Sequence, residues 1–186
     1  MTHLATKKIK EWYKIIAPPN FGEKEIGKTL ATEPSKLIGK RVSLSAIELT
    51  DNFSKYYLKL NFKVSKVNNQ MAFTDFDGSE CLRDYLSRMI LRRVRRIDTV
   101  QDFTTSDGKK IRVKGLGIIG RRVKSSIQKE LSNRIKDILK STIPNITLDD
   151  FVEKIISDEI KHRILQQVRN TYPLRNFEIR KTEVIG

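Results

Sequence analysis

From Ser54 to Ser65 the chain alternates with a period of two. Tyr56, Leu58, Leu60, Phe62 and Val64 take turns with Lys55, Tyr57, Lys59, Asn61 and Lys63. Successive side chains of a strand point to opposite faces, so this pattern dictates a sheet with one buried face and one basic face. Asn68-Asn69 is a plausible tight turn into a returning strand over Met71–Phe76. Arg41–Leu49 is strand-like too, with Val42, Leu44 and Ala46 alternating against polar neighbours.

Helical spacing takes over after that sheet. Asp77-Gly78-Ser79 reads as the opening of a helix whose apolar face holds Leu82, Tyr85, Leu86, Met89 and Ile90, with Arg83 and Arg88 pointing elsewhere. Prolonging it would turn Arg93 and Arg96 onto the apolar face, so an end near Arg92 is expected. A strand over Thr99–Thr105, a hairpin signal at Asp107-Gly108 and a return over Ile111–Lys114 follow. Ser125 and Gln128 read as a capping box for a helix with the stripe Ile127, Leu131, Ile135, Ile138 and Leu139, stopped by Pro144. Thr147 can cap a further helical run bearing Val152, Ile155, Ile156, Ile160, Ile164 and Val168, with an interruption near Ser157. After Pro173, Arg175–Val184 can extend as a last strand. Strands, one helix, a hairpin and then helices is the order of an α+β protein and not of alternating βαβ units. Residues 1–30, with Lys7, Lys8, Lys10, Lys14, the pair Trp12-Tyr13 and a break at Pro18-Pro19, are expected as an extended basic arm; residues 31–186 are expected as a single α+β domain.

Charge narrows the class of partner. Cys81–Lys124 holds thirteen Lys or Arg against four acids, +9 of a net charge of +15. Its arginines are interleaved with Leu86, Ile90, Val94 and Ile97, which a fold must bury, so the charge is built onto a core. Concentrated like charge opposes the compact state until a polyanion relieves it, and neutralised phosphates release counterions, which points to nucleic acid. Residues 145–186 balance at seven basic against seven acidic and read as scaffold. The 186 residues suit one domain or two small ones. Hydrophobic residues are 38%, below the usual ~45–50%, and charged ones 32%, above ~25%. One cysteine, Cys81, excludes an internal disulfide framework and fits a reducing compartment. No apolar run approaches the ~18–20 residues of a membrane span, no signal-peptide core opens the chain, and no membrane partner is expected.

Catalytic motifs are incomplete. Gly115-Leu116-Gly117-Ile118-Ile119-Gly120 satisfies the dinucleotide fingerprint, and Asp137 lies at a fitting distance downstream. That acid should end a second parallel strand, however, and Asp137 sits in a helical stripe. The glycines are therefore expected at a strand end or a close approach to RNA, with no cofactor. Asp75, Asp77 and Glu80 resemble a calcium loop, but Gly78 comes two positions early and Leu86 stands where the bidentate Glu belongs. Asp149-Asp150 places acids on a first helical turn. His3 and His162 have no companions for metal or Cys-His chemistry.

Ordered blocks then carry a resemblance. Lys10-Glu11-Trp12-Tyr13 through Ala17-Pro18, Phe21, Ile26-Gly27-Lys28-Thr29, Gly39-Lys40-Arg41 and Thr74-Asp75-Phe76-Asp77-Gly78 open it. Arg83-Asp84-Tyr85, Arg95-Arg96-Ile97-Asp98, Thr105-Ser106-Asp107-Gly108 with Ile111-Arg112-Val113-Lys114, Tyr172-Pro173-Leu174-Arg175 and Arg180-Lys181-Thr182-Glu183 complete it. Together they resemble the archaeal and eukaryotic small-subunit ribosomal protein family called S-three-a-e, or e-type S-one, in its archaeal form, without the long C-terminal extension of eukaryotic members. The resemblance implies a β-barrel-like, largely antiparallel sheet flanked by helices. It also implies a non-catalytic structural protein of the small-subunit platform, near the messenger RNA exit and the 3′ region of the rRNA. Partners so implied are small-subunit rRNA, neighbouring small-subunit proteins and mRNA near the exit. Candidate RNA contacts are Lys7, Lys8, Lys10, Trp12, Tyr13, Lys40, Arg41, Arg83, Arg88, Arg92, Arg93, Arg95, Arg96, Lys109, Lys110, Arg112, Lys114, Arg121, Arg122 and Lys124. The competing readings are an RNA-modifying enzyme using Gly115–Gly120 for a nucleotide cofactor and a free single-stranded RNA binder in translation.

Overall fold

A computed structural model describes residues 9–185. Eight strands form one mostly antiparallel, open sheet: β1 (Glu11–Ile16), β2 (Glu25–Ala31), β3 (Arg41–Ser45), β4 (Leu58–Asn68), β5 (Met71–Cys81), β6 (Arg95–Thr104), β7 (Lys110–Ile119) and β8 (Asn176–Ile185). Five helices accompany them: α1 (Ala46–Thr50), α2 (Arg83–Met89), α3 (Ser125–Thr142), α4 (Leu148–Ile156) and α5 (Glu159–Val168). The barrel-like α+β fold expected from the resemblance is the fold found, with the sheet left open.

Strand β5 is the hinge of the topology. One of its edges pairs with β4 along nearly its whole length. Its other edge is shared: Met71–Phe73 runs parallel to Lys14–Ile16 of β1, and Gly78–Glu80 pairs with Lys181–Glu183 of β8. From β8 the sheet continues through β7 to β6. The last strand of the chain therefore lies in the middle of the sheet.

The alternating segment behaves as its period requires from Leu58 onward, with Leu58, Leu60, Phe62 and Val64 buried and Lys59 and Lys63 exposed. Its start does not. Phe53–Lys55 is a 3-10 turn, which brings Lys55 and Tyr57 inside and leaves Tyr56 half exposed. The lysines of β4 also face acids, Lys59 opposite Glu80 and Lys63 opposite Asp75, so this face is less basic than the strand alone implies.

Asp77-Gly78-Ser79 continues β5 instead of opening a helix, and α2 begins only at Arg83. Between Asn61 and Phe62 the register slips, leaving Asp77 as an extra residue, a β-bulge held by Arg41 at 2.7 Å. Gly78 is then required by close approach: with φ at 155°, a Cβ there would meet the Thr182 carbonyl oxygen at 2.2 Å. Residues 11–31 form strands β1 and β2 of the sheet, joined through a 3-10 turn at Pro19–Phe21, with Tyr13, Ile15 and Ala31 in a small core with Leu37, Val64 and Ala72.

The helical third follows the expected stripes. Leu131, Ile135, Ile138 and Leu139 of α3 are buried, and α4 and α5 part at Ser157-Asp158, where Asp158 takes φ of 61°. Thr147 and Asp150 form a reciprocal capping box. Ser125 does not: Lys124 is the N-cap residue of α3 with no side-chain cap, and Gln128 donates back to the Val123 carbonyl at 3.3 Å. The β6–β7 turn is fastened instead by Asp107, whose carboxylate accepts from the Leu148 N–H at the start of α4 at 2.9 Å.

Candidate nucleic-acid interface

The hairpin of β6 and β7 separates the thirteen basic residues into groups. Paired over Arg95↔Ile119 to Thr104↔Lys110, it is about 26 Å long from Arg96 to Thr104 at ~3.3 Å per residue. Lys109 and Lys110 are exposed at its tip, and Arg112 is nearby, locked to Asp102 in a bidentate pair at 2.6 and 2.8 Å. That hydrogen bonding lowers the Asp102 carboxyl below its ordinary range and raises the guanidinium.

At the opposite end stand Arg92, Arg93, Arg95, Arg121, Arg122 and Lys124, all exposed. Arg93, in a left-handed turn with φ of 68°, lines an open cleft of about 540 Å³ with Gly120, Arg121 and Arg122. Arg88 is exposed on α2.

Between these ends lies a groove of about 440 Å³, bounded by α2, the end of β5 and strands β6 to β8. Arg83 enters from α2, Arg96 from β6, Lys114 from β7, and Arg180 and Lys181 from β8. Leu86, Ile90 and Leu116 supply apolar lining, and Glu80 is the one acid. Residues adjacent in a strand normally face opposite ways. Arg180 and Lys181 share the groove because the β7–β8 register shifts: Lys114 pairs with Lys181 and Gly115 with Ile179, so Arg180 is a bulged extra residue.

Neighbouring carboxylates set these cations in place. Glu183 accepts from Lys181 at 2.8 Å and from Lys114 at 3.0 Å, which holds its carboxyl below the usual range and raises Lys181. Arg96 grips Asp98 through two bonds of 2.7 Å, two residues along the same exposed strand face. Arg83 and Arg180 make no salt bridge among the described residues. Such an array is preorganised for phosphate oxygens, since fork-shaped guanidinium donors match them and the lysines are already ordered.

Other candidates are scattered. Lys40 reaches the Thr29 hydroxyl and Arg41 pairs with Asp77. Lys10 and Trp12 are exposed, while Tyr13 is a core residue, 4% exposed, which corrects its assignment to a contact surface. Lys7, Lys8 and His3 lie outside the described residues. Arg180 and Lys181 are the groove residues that sequence reasoning missed. The balanced charge of the last forty residues hid them, and only their motif block with Glu183 marked them.

The glycine motif is not a loop. Gly115 and Gly117 are buried within β7, so the close approach they permit is internal: to Thr99 and Phe177 at Gly115, and to Ile97, Ile135 and Leu174 at Gly117. A dinucleotide fingerprint must sit at a strand-to-helix turn, where its amides face a pyrophosphate. Asp75, Asp77 and Glu80 all belong to β5, and no group of three His, Cys, Asp or Glu among the described residues could hold a metal ion.

An open sheet carrying a groove lined by five cations and one acid defines a basic α+β protein. The model of the Ribosomal S3Ae family matches residues 4–186, and the chain belongs to that family. It is 38% identical over 179 residues to the small ribosomal subunit protein eS1 of Methanothrix thermoacetophila, covering 96% of this chain and 85% of that relative. The protein of the same name from Methanobrevibacter smithii is 36% identical over 181 residues, covering 97% and 94%. That from Sulfurisphaera tokodaii is 35% identical over 178 residues, covering 96% and 92%. The family is ribosomal, structural and not enzymatic, and works in the cytoplasm as part of the ribosome. No helix among the described residues is long and apolar enough to cross a membrane.

Proposed function

We propose that this chain is a structural constituent of the small ribosomal subunit that holds rRNA on the platform near the mRNA exit, beside neighbouring small-subunit proteins and close to mRNA. The observation that carries its RNA-binding part is the groove, where five cations from four elements converge around a single lining acid. The free basic ends of the β6–β7 hairpin extend the contact on either side. The platform position rests on the family resemblance. RNA phosphates would neutralise Arg83 and Arg180 first, because neither is held in a salt bridge among the described residues, although Glu80 lines the same groove.

Affinity for a fragment from the 3′ region of the rRNA is the test. With six to ten phosphates engaged, it should fall by roughly 10³–10⁵ between about 50 and 200 mM salt, taking the duplex-DNA relation as guide. Arg83→Ala/Arg180→Ala should reduce the slope of that dependence by about two contacts and leave chemical denaturation of the free protein nearly unchanged. A nearly flat salt dependence in the wild type would remove the electrostatic account. An unchanged slope in the double variant would remove the groove from it.

A further inference from the structure

The outer face of β1, β2 and the start of β5 carries an open cleft of about 900 Å³ that no helix among the described residues lines. Register explains what lines it. Trp12 is opposite Leu30 and Lys14 opposite Lys28, while Lys14 is beside Met71 and Ile16 beside Phe73 on β5. The inward side chains, Tyr13, Ile15, Ala31 and Ala72, are buried, so the face is backed by a packed core. Its outward apolar groups are left in water: Trp12 is 60% exposed, Met71 48% and Leu30 45%. Clustered exposure of that kind marks an interaction surface.

The polar rim says which kind. Lys14 and Lys28 share one carboxylate, that of Glu25, at 3.2 and 3.8 Å, so the pair keeps unneutralised positive charge. Across the cleft, the β4–β5 turn presents the side-chain amides of Asn68, Asn69 and Gln70. A flat indole for a base, amides for its polar edge and ammonium groups for the adjoining phosphate are the three parts needed to hold an unpaired nucleotide. A protein interface can also carry a polar rim, but two ammonium groups sharing one carboxylate on a chain of net charge +15 favour a phosphate-bearing partner. We infer that this face is a stacking platform for single-stranded RNA, with Trp12 as the stacking residue. The inference rests on the rRNA-binding reading and places a second site outside the phosphate groove.

Trp12 is the only tryptophan of the chain, so its fluorescence reports this cleft alone. A short single-stranded oligoadenylate should quench that emission saturably, and an RNA duplex of equal length should not. Trp12→Ala should weaken the single strand by roughly tenfold, Trp12→Phe should retain most of the affinity, and duplex binding, followed by anisotropy of labelled RNA, should not change. The side chain is more than half exposed, so both variants should melt like the wild type. Salt-dependent binding of both RNAs with unmoved Trp12 emission, and a Trp12→Ala variant that binds as the wild type does, would overturn the platform and leave the rRNA-binding reading standing. Failure of both RNAs to bind would overturn the two together. A Trp12 shift on adding small-subunit proteins without RNA, with none on adding oligoadenylate, would make the face a protein interface and also overturn it.

Discussion

A methyl group added at Gly115 would sit 2.7 Å from the Thr99 hydroxyl and 2.9 Å from the Phe177 ring, both buried. The same methyl at Gly117 would find its nearest neighbours at 3.6 and 3.7 Å, ordinary packing distances. Overpacking a buried site typically costs ~1–3 kcal/mol. Gly115→Ala should therefore destabilise by about 2 kcal/mol, and Gly117→Ala should be nearly neutral. Urea midpoints of the two variants check this, and equal losses would mean that close packing at Gly115 is not what the motif serves. The helical stripe around Asp137 led to the expectation that these glycines serve backbone geometry, and they lie within or next to strand β7. Which of them is sterically required was hidden, because that depends on Phe177 arriving from a strand sixty residues later. Tyr13 illustrates a similar limit: beside Trp12 it reads as a second contact aromatic, and only the strand's period, which sends neighbours to opposite faces, separates the two.

At the scale of the element, periodicity carried far. The β4–β5 hairpin, the β6–β7 hairpin, the α3 stripe, the break between α4 and α5 and the final strand were all legible from spacing and turn residues. Failures came where a tertiary contact overrode a local signal. Asp77-Gly78-Ser79 has helix-opening chemistry, yet Gly78 lets β8 press against β5 and keeps that strand running to Cys81. The groove was legible only in part for the same reason: Arg83, Arg96 and Lys114 lie in the basic segment, whereas Arg180 and Lys181 join them through sheet order and a bulge. α2 offers a direct separation of scaffold from surface. Leu86 is its one buried residue, still 9% exposed, so Leu86→Ala should cost about 2 kcal/mol, the low end for a short helix at the core edge. Arg95 and Arg96 begin β6 in the open, and the Arg96–Asp98 pair is 40% and 44% exposed, a setting in which ion pairs contribute little. Arg95→Ala/Arg96→Ala should leave the free protein's denaturation almost unchanged while weakening rRNA-fragment binding. A double variant that unfolds as readily as Leu86→Ala and binds normally when folded would make these arginines structural.

At the scale of the whole molecule, a buried polar cluster lies where β5, α2, α5 and β8 meet. Glu178, 4% exposed, accepts from Lys161 at 2.5 Å and from Tyr85 at 3.0 Å. Tyr57 stacks on Tyr85, Lys55 pairs with Asp158 at 2.5 Å, and the Cys81 thiol donates to the Ile179 carbonyl at 3.2 Å. Burial, and after it the Glu178 charge, pushes the Cys81 thiol from its ordinary 9.0 up to about 12. Burial and the same carboxylate raise Tyr57 and Tyr85 above 10.0. The sign for stability follows from proton counts. Above about pH 9 the unfolded chain releases these protons while the folded chain keeps them, so the unfolded state binds fewer and stability falls as pH rises. Loss of lysine charge acts in the opposite direction, since it relieves the self-repulsion of a chain of net charge +15. Lys181, held above its ordinary range by Glu183, also loses stabilisation when it deprotonates in strong alkali, so the earliest part of the fall, where the unfolded thiol ionises, is the part that reports the cluster. The midpoint should be nearly level from neutral pH to about pH 8.5 and then drop. Cys81→Ala should remove the earliest part of that drop. In the native protein at pH 8, Cys81 should resist iodoacetamide until denaturant is added, because the buried thiol is protonated. Rapid native alkylation together with a melting temperature that holds or rises just above pH 9 would show that the cluster does not hold these elements together.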